Sequence, residues 1–400
     1  MILALSIIFS YNPDSLILGV YINPYQGCKK SFLEDIFSLA DSGYINTIVV
    51  DLKSDYGYLC YETDIPLAKQ LNACKRYIDL DYLVKKCNEL NIKLIARIVC
   101  FRDNYLAKYE DCAIRDSSGE IWYDKTGTAW VNPYNKKVHK YLIDIIKELE
   151  KKGVSSFALD YVRFPTDGDI GSIRLMNVKG ERYVPIIEFL EGLKENVEAE
   201  IGICIFGYAV WYDLEQEGQE VSKFGPFVDV VYPMLYPSHF HPYFKKEVSE
   251  YWRNYWIYFD SVEEAFKKLP LNVKVIPFVQ GFDLYCEEFN DSYIFAQIFG
   301  ALNADADGIM IWHAANNYTT SLPSLIRAYN LIRYRYAQNS LNIRRRVLLR
   351  QYQEISPSLS LSLKRTQKKN QTSPSPDTRF GNPPSKKIRK VLIPDQIMLW

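Results

Sequence analysis

The chain has 400 residues, of which 48% are hydrophobic and 24% are charged, and its formal net charge is zero. This is an ordinary globular composition, and the length allows one large domain or two to three smaller ones. Residues 341–400 contain 13 basic and 3 acidic residues, which leaves 35 basic and 45 acidic residues in 1–340. An acidic main body argues against a nucleic-acid groove in that part of the chain.

Residues 1–15 form an apolar N-terminal segment without basic residues at its start. The apolar run is too short to span a bilayer. Two interpretations stay open. The segment is either the hydrophobic part of a shortened signal peptide, which would give an extracytoplasmic location, or a strand or helix under the main domain of a cytoplasmic protein.

Eight short apolar runs, rich in β-branched residues, follow one another and mostly alternate with helical segments. The predicted strands are 16–23, 47–52, 93–101, 157–164, 200–207, 228–236, 273–281 and 308–313. The predicted helices lie at about 31–42, 81–90, 136–151, 184–197, 245–268, 291–303 and 322–337. This alternation predicts an α/β fold, a parallel (β/α)8 TIM barrel over residues 16–338. A doubly wound open sheet is the alternative, and the lack of Gly-x-Gly-x-x-Gly after the first strand argues against it.

Three local features complete the prediction along the chain. Ser31 and Glu34 match a capping box at the start of the first helix. The insertion 103–134, rich in Asp, Gly, Tyr and Trp, is long for a barrel loop and is predicted to be functional or to carry a small hairpin. Residues 339–400 form a basic, Pro- and Ser-rich tail that is predicted to be disordered. The alternatives for this tail are an arm for nucleic acid or an anionic surface, and a frameshifted terminus.

Eight cysteines are scattered along the chain and are interpreted as free structural thiols. None forms Cys-x-x-Cys, and no group of His, Cys and acidic residues has the spacing of metal ligands. His239 and His241 are interpreted as loop surface between two prolines rather than as metal ligands. Neither a metal nor a cofactor is therefore predicted.

The segment 157–165, Phe-Ala-Leu-Asp-Tyr-Val-Arg-Phe-Pro, is the centre of the functional interpretation. Pro165 cannot donate to a central sheet ladder, so the strand must end near Phe164, with Asp160 at or near its carboxyl end. Ligands and chemistry gather at that edge of an α/β sheet. The alternative is that Asp160 caps the next helix or pairs with Arg163.

The carboxyl ends of all strands of a barrel lie on one face, so the side chains at or just after those ends are expected to lie near one another. They are Asp51, Asp55, Arg97, Asp160, Tyr161, Arg163, Tyr208, Tyr232, Tyr236, Gln280, Trp312 and His313. Carboxylates with aromatic rings, arginines and amides suit glycoside hydrolysis, which needs a protonated acid and a second carboxylate as nucleophile or base. The aromatic and planar polar residues of this set are the predicted substrate-binding residues.

Asp160 is the predicted nucleophile, and Asp51 or Asp55 is the predicted acid. A bend before Pro165 would bring Arg163 round to keep Asp160 ionised. For Asp51, a structural role in which it bonds loop amides is an equal alternative. Carboxyl groups about 5–5.5 Å apart would give retention, and a separation of about 6.5–9.5 Å would give inversion.

Several motifs in order resemble the putative glycosyl hydrolase domain family, which is related to other TIM-barrel glycosidases. They include Asn132-Pro133-Tyr134, the segment 157–165, and the runs 19–21, 49–57, 95–101 and 307–312. The resemblance covers about residues 16–335. It implies a (β/α)8 barrel and carbohydrate hydrolysis. The predicted function is that of a glycoside hydrolase that cleaves O-glycosyl bonds of a polysaccharide with its two carboxylates.

Two other functions stay open at this stage. The first is a carbohydrate-binding barrel whose catalytic pair has been lost. The second is a lyase or isomerase on the same scaffold, for which Lys53 is the one obvious strand-end lysine. Acids near Lys53 predict an ion pair instead.

Overall fold

The computed structural model describes residues 16–175, 178 and 180–338, with side chains described as far as residue 332. Residues 17–325 form one compact unit, and residues 326–338 continue the last helix beyond it. The apolar N-terminal segment and the basic tail lie outside the described residues. The predicted domain boundaries therefore stay predictions.

In the described residues, nine parallel strands close into a barrel with eight strand positions. They are β1 (Ile17–Ile22), β2 (Thr47–Lys53), β3 (Lys93–Val99), β4 (Ser156–Asp160), β5 (Glu200–Phe206), β6 (Val230–Met234), β7 (Lys274–Val275), β8 (Phe278–Gln280) and β9 (Gly308–Trp312). β7 and β8 share the seventh position, since both pair with β6 and Pro277 lies between them. β5 pairs with β6 and β9 pairs with β1, so the sheet closes. The predicted (β/α)8 barrel is confirmed, and the doubly wound alternative is wrong.

Helices follow every strand position of the barrel. They are α1 (Pro24–Gly27), α2 (Lys30–Asp41), α3 (Pro66–Gln70), α4 (Leu80–Glu89), α5 (Lys136–Lys151), α6 (Tyr183–Lys194), α7 (Val221–Phe224), α8 (Glu250–Lys268), α9 (Asp291–Asn303) and α10 (Ser321–Gln338). Helix α5 shows why they form, because Val138, Leu142, Ile145 and Leu149 recur at helical spacing and are fully buried. In the described part of the chain, no helix combines the length and apolarity required to cross a membrane.

The barrel interior is filled by inward-facing side chains from successive strands. Val49, Ile95, Ala158, Cys204 and Met310 belong to one buried cluster, each from a different strand. Because strand residues alternate between the two faces, the neighbours of these residues pack outward against the helices. The filled interior leaves the carboxyl ends of the strands as the face where polar groups collect.

Three boundaries differ from the prediction. Strand β4 ends at Asp160 rather than near Phe164, because Tyr161 takes a left-handed backbone conformation with φ of 54°. The capping box was wrong: α2 begins at Lys30, and its N-cap residue Lys29 makes no side-chain capping bond. Helix α8 begins at Glu250 rather than at about residue 245.

The insertion 103–134 carries small antiparallel pairings, which confirms the hairpin predicted for it. Arg115 pairs with Ile121, and Tyr123 pairs with Ala129. A further bridge between residues 102 and 130 ties the insertion to the end of β3. The insertion therefore stands as an ordered wall beside the carboxyl face of the barrel.

Candidate active site

Three aspartates bind one arginine at the carboxyl end of the barrel. Arg97 on β3 donates from Nη1 to Asp51 Oδ1 at 2.8 Å, from Nη2 to Asp55 Oδ1 at 2.8 Å, and from Nε to Asp160 Oδ2 at 2.9 Å. The register of the strands explains this meeting, since Asp51 is paired with Arg97 and Asp160 with Val99. A guanidinium is compact and planar, so the bonded oxygens of Asp51 and Asp160 lie within about 8 Å of each other.

The charge balance of this cluster is negative, because three carboxylates face one cation. Burial is the largest cause that raises the pKa of Asp51 to about 6, and the charge of Asp55 adds to it against the opposing pull of Arg97. Burial also works against the charged form of Arg97, but the three aspartates hold its pKa well above the usual range. Arg97 is therefore a permanent cation, and the raised pKa of Asp51 favours its protonated form.

The three carboxylates differ in their access to solvent. The Asp51 side chain is 3% exposed, that of Asp160 is 9% exposed, and that of Asp55 is 38% exposed. Asp160 Oδ1 also accepts a 2.7 Å hydrogen bond from the Tyr161 backbone N–H. Asp160 is thus fixed at the strand end by a guanidinium and a backbone amide, Asp55 stands at the opening, and Asp51 lies below them.

An aromatic pair borders the arginine. The rings of Tyr21 and Trp312 stack with centroids 3.7 Å apart, and the Arg97 guanidinium lies 5.0 Å from the Trp312 ring centre. Tyr21 donates its hydroxyl to Asp51 Oδ2 at 2.6 Å, which occupies the second oxygen of that carboxylate. The sequence interpretation missed Tyr21, although its position near the end of β1 on the inward face is the signal that would have found it.

The other wall of the site comes from the insertion and from the residues after β4. The Tyr161 ring lies between the guanidinium groups of Arg102 and Arg163, at 5.5 and 4.9 Å, and packs edgewise on Trp130. Burial is the main cause that raises the pKa of Tyr161 to about 12. Arg102 Nε donates to Asp124 Oδ2 at 2.8 Å, and this bond fixes the Arg102 side chain in the wall.

Arg163 does not have the predicted role beside Asp160. Its Nη1 donates to the carbonyl of Phe164 at 3.0 Å and to Thr166 Oγ1 at 3.3 Å, and burial lowers its pKa. Among the described residues the cation that contacts Asp160 is Arg97, from another strand. The physical reason is the left-handed turn at Tyr161, which directs the following chain away from the strand.

Two predicted substrate-binding residues lie away from the opening. Tyr232 is fully buried inside the barrel, where its ring packs against Gly202. Gln280 is also fully buried: its Nε2 donates to the carbonyls of Phe282 and Leu284, and its Oε1 accepts from Ser238 N–H. In this structure, Tyr232 is a core residue and Gln280 ties loops together, which corrects both predictions.

The three remaining predicted residues are Tyr236, Tyr208 and His313. Tyr236 is 5% exposed and packs edgewise on Phe282. Tyr208 is half-buried, and its hydroxyl accepts from the backbone N–H of His241 at 2.7 Å. His313 is half-buried beside Trp312, and its Nδ1 accepts from the Ala315 N–H at 3.1 Å. Substrate contact by these three side chains stays a prediction.

A second buried ion pair lies next to the turn that carries Asp55. Lys53 at the end of β2 lies 2.8 Å from Asp103, with both side chains fully buried, and also donates to the carbonyl of Val99 at 2.7 Å. Gly57 packs against Asp103 with a backbone φ of 96°. This arrangement fixes the turn that carries Asp55. It also leaves Lys53 without access to a substrate, which argues against the lyase or isomerase alternative.

A metal-binding group of three or more His, Cys, Asp or Glu side chains is not found among the described residues.

Comparison with known proteins gives a family and a fold. A family model described as "Putative glycosyl hydrolase domain" matches residues 19–318. A hypothetical protein from Ruminiclostridium thermocellum is 32% identical over 46% of this chain and 96% of that chain, with a TM-score of 0.44. The glycoside hydrolase domain of PgaB (BpsB) from Bordetella bronchiseptica has a TM-score of 0.58 at 9% identity, over 79% of this chain and 99% of that chain, and so shares the fold.

A search of curated proteins finds no match to the chain. The family model, in contrast, covers Arg97 and all three aspartates. The barrel, the acid cluster at its carboxyl face and this match agree with one another, and the chain belongs to the family described as a putative glycosyl hydrolase domain.

Proposed function

We propose that the protein is a glycoside hydrolase that cleaves a polysaccharide by a two-carboxylate mechanism. The observation that carries this proposal is the meeting of Asp51, Asp55 and Asp160 on Arg97 at the carboxyl face of the barrel. Glycosidic cleavage needs two carboxyl groups on opposite sides of one bond, one protonated and one ionised. Family membership supports the same class of reaction.

Asp160 has the role of nucleophile or general base in this proposal. Its carboxylate accepts hydrogen bonds from the Arg97 guanidinium and from the Tyr161 N–H. Both donors fix its orientation, which a nucleophile requires before the transition state forms. Its position at the end of β4 points it toward the opening that a substrate would enter.

Asp55 is the proposed proton donor, because a general acid has to reach the leaving oxygen before its pKa matters. Its side chain is 38% exposed, and the contact that Arg97 makes with it uses Oδ1. Burial raises the pKa of Asp51 to about 6, but Tyr21 and Arg97 occupy its two oxygens and its side chain is 3% exposed. We assign Asp51 the role of a buried partner that positions Arg97.

The experiment is a glycan-panel digestion with mass analysis of the products. Asp160→Asn and Asp55→Asn are each expected to lower product release by more than about 10²-fold, the usual contribution of a positioned acid or base. Asp260→Asn is the control, since Asp260 is a buried aspartate on helix α8 that pairs with Lys245 instead of Arg97. If both test variants keep wild-type cleavage of every glycan that the wild type cleaves, the assignment is wrong.

A catalytically inactive carbohydrate-binding barrel is the alternative function. The observation that favours it is that each of the three carboxylates already bonds to Arg97. Calorimetric binding of a glycan, without release of reducing ends over long incubation, would support this alternative against the hydrolase.

A further inference from the structure

Five tyrosines form a cluster beside the acid site that neither the predicted site nor the proposed mechanism uses. The tyrosine cluster consists of Tyr25, Tyr56, Tyr58, Tyr77 and Tyr105. It comes from three separate connections: the one after β1, the one after β2 and the one after β3. Carboxyl ends of parallel strands meet on one face, so the cluster lies on the same face as the aspartates.

The rings of the tyrosine cluster contact one another around Tyr58. Tyr56 and Tyr58 are nearly parallel, with an interplanar angle of 7° and centroids 6.5 Å apart, and Tyr105 meets Tyr58 edge-on at 6.4 Å. Tyr77 lies 6.1 Å from Tyr58 and 5.1 Å from Tyr25. The hydroxyl groups of Tyr25 and Tyr58 are 3.3 Å apart. The five rings therefore form a continuous aromatic surface.

This surface is open to solvent at its two outer members. Tyr25 is 53% exposed and Tyr56 is 54% exposed, whereas Tyr58 is 2% exposed and forms the base. The exposed Lys75 places its ammonium 4.2 Å from the centre of the Tyr58 ring. Rings, hydroxyl groups and a cation thus meet in one place.

Backbone hydrogen bonds hold the cluster in position. The Ser54 N–H donates to the Tyr58 carbonyl at 2.9 Å, and the Asn104 N–H donates to the Tyr56 carbonyl at 3.1 Å. The Lys75 N–H donates to the Leu59 carbonyl at 2.8 Å. A platform whose backbone is fixed before binding loses less entropy when a ligand binds.

The cluster is continuous with the acid site through the chain itself. Tyr56 directly follows Asp55, so their Cα atoms are about 3.8 Å apart. Arg102 donates to the Asp55 carbonyl at 3.1 Å, and Asn104 in the same loop holds Tyr56. A ligand whose bond is cleaved at Asp55 and Asp160 would therefore reach the cluster with its neighbouring units.

We propose that the tyrosine cluster is a binding subsite for the sugar units of a glycan chain next to the unit that is cleaved. Flat rings cover the apolar face of a pyranose, while tyrosine hydroxyls and Lys75 supply hydrogen bonds to sugar hydroxyls. The substrate class is therefore an extended polysaccharide rather than a small glycoside. This inference rests on the proposed hydrolase function for the identity of the ligand.

The test compares binding of insoluble cellulose, chitin, xylan and starch by full-length variants, all carrying Asp160→Asn so that the probe is not consumed. In this background, Tyr25→Ala/Tyr56→Ala is expected to weaken binding to the bound polymer by about tenfold or more. The matched control is Tyr82→Ala, which removes a partly exposed tyrosine that bonds to Glu34 on the outer helical layer. Thermal melting checks that all variants fold.

The outcomes separate this proposal from the proposed hydrolase function. If the double variant binds as tightly as its parent, or if the parent binds none of the polymers, the subsite is refuted, whether or not the wild type releases sugar. If the double variant loses binding while Tyr82→Ala does not, the result supports the subsite. If that loss occurs while the wild type releases no product from any polymer, the subsite stands and the hydrolase proposal falls.

Discussion

Replacement of Asp51 by Asn should change how the stability of the protein depends on pH. Burial raises the pKa of Asp51 in the folded protein from 3.8 to about 6. Between these values the folded state binds more protons than the unfolded state, so the free energy of unfolding falls as pH rises. Each pKa unit corresponds to about 1.4 kcal/mol, so the ionisation of Asp51 costs about 3 kcal/mol.

Asn cannot ionise, so Asp51→Asn removes this loss. The free energy of unfolding of the wild type, relative to Asp51→Asn, should fall by about 3 kcal/mol between about pH 3 and pH 7 and stay nearly constant above that range. Urea unfolding followed by tryptophan fluorescence at half-unit pH intervals gives both curves. Curves that stay parallel within about 0.5 kcal/mol would show that the folded-state pKa of Asp51 is not raised.

Asp124 provides a control with the opposite sign. Burial works to raise the pKa of Asp124, but hydrogen bonds from Arg102, Thr126 and the Thr128 N–H hold it below its usual value. The stability that Asp124 contributes is present above its unfolded pKa and is lost as pH falls through its folded pKa. The wild type should therefore gain stability over Asp124→Asn as pH rises, whereas it loses stability relative to Asp51→Asn.

Two further substitutions test the supports of the site. Arg97→Met leaves two buried carboxylates without a cation and should lower the free energy of unfolding in urea by about 3–5 kcal/mol at pH 8. The loss should be smaller at pH 5, because Asp51 can bind a proton there. An equal loss at both pH values would contradict this prediction. Gly57→Ala places a Cβ against the Asp103 carboxylate at a φ of 96°, whereas Gly119→Ala at a φ of 90° meets no atom within 4 Å. Both substitutions cost backbone strain of about 1–3 kcal/mol. A greater loss of stability and activity for Gly57→Ala would therefore measure the overlap of the new Cβ with the Asp103 carboxylate. Equal losses for the two variants would refute that overlap.

The sequence was sufficient to predict which acids would share one face of the barrel. Strand ends of a parallel barrel all open on that face, so Asp51 and Asp160 at two strand ends had to approach each other. Hydrophobic periodicity also predicted α5 and α9 at their observed bounds. These features depend on local patterns that a single chain displays.

The sequence could not show which cation would bind the acids. Arg97 reaches all three aspartates because of strand register, and Arg163 misses Asp160 because Tyr161 turns the chain with a positive φ. Neither register nor a left-handed tyrosine leaves a periodic signal in the sequence.

The sequence also could not show how deeply a side chain lies inside the barrel. Tyr232 lies on β6 and Tyr236 lies two residues beyond its end, and both belong to the buried core cluster although the sequence placed them at the opening. The tyrosine cluster comes from three loops that are distant in sequence, so its rings could not be grouped before the fold was known.

Chemical rescue of Asp160→Ala by azide tests the central claim most directly. Removal of this carboxylate leaves room for a small anion at the position from which attack on the anomeric carbon takes place. On a glycan that the wild type cleaves, we predict that Asp160→Ala is inactive in plain buffer, and that added azide restores cleavage and yields a glycosyl azide detectable by mass spectrometry. Wild-type turnover by Asp160→Ala without azide, and with no azide adduct when azide is added, would contradict the account.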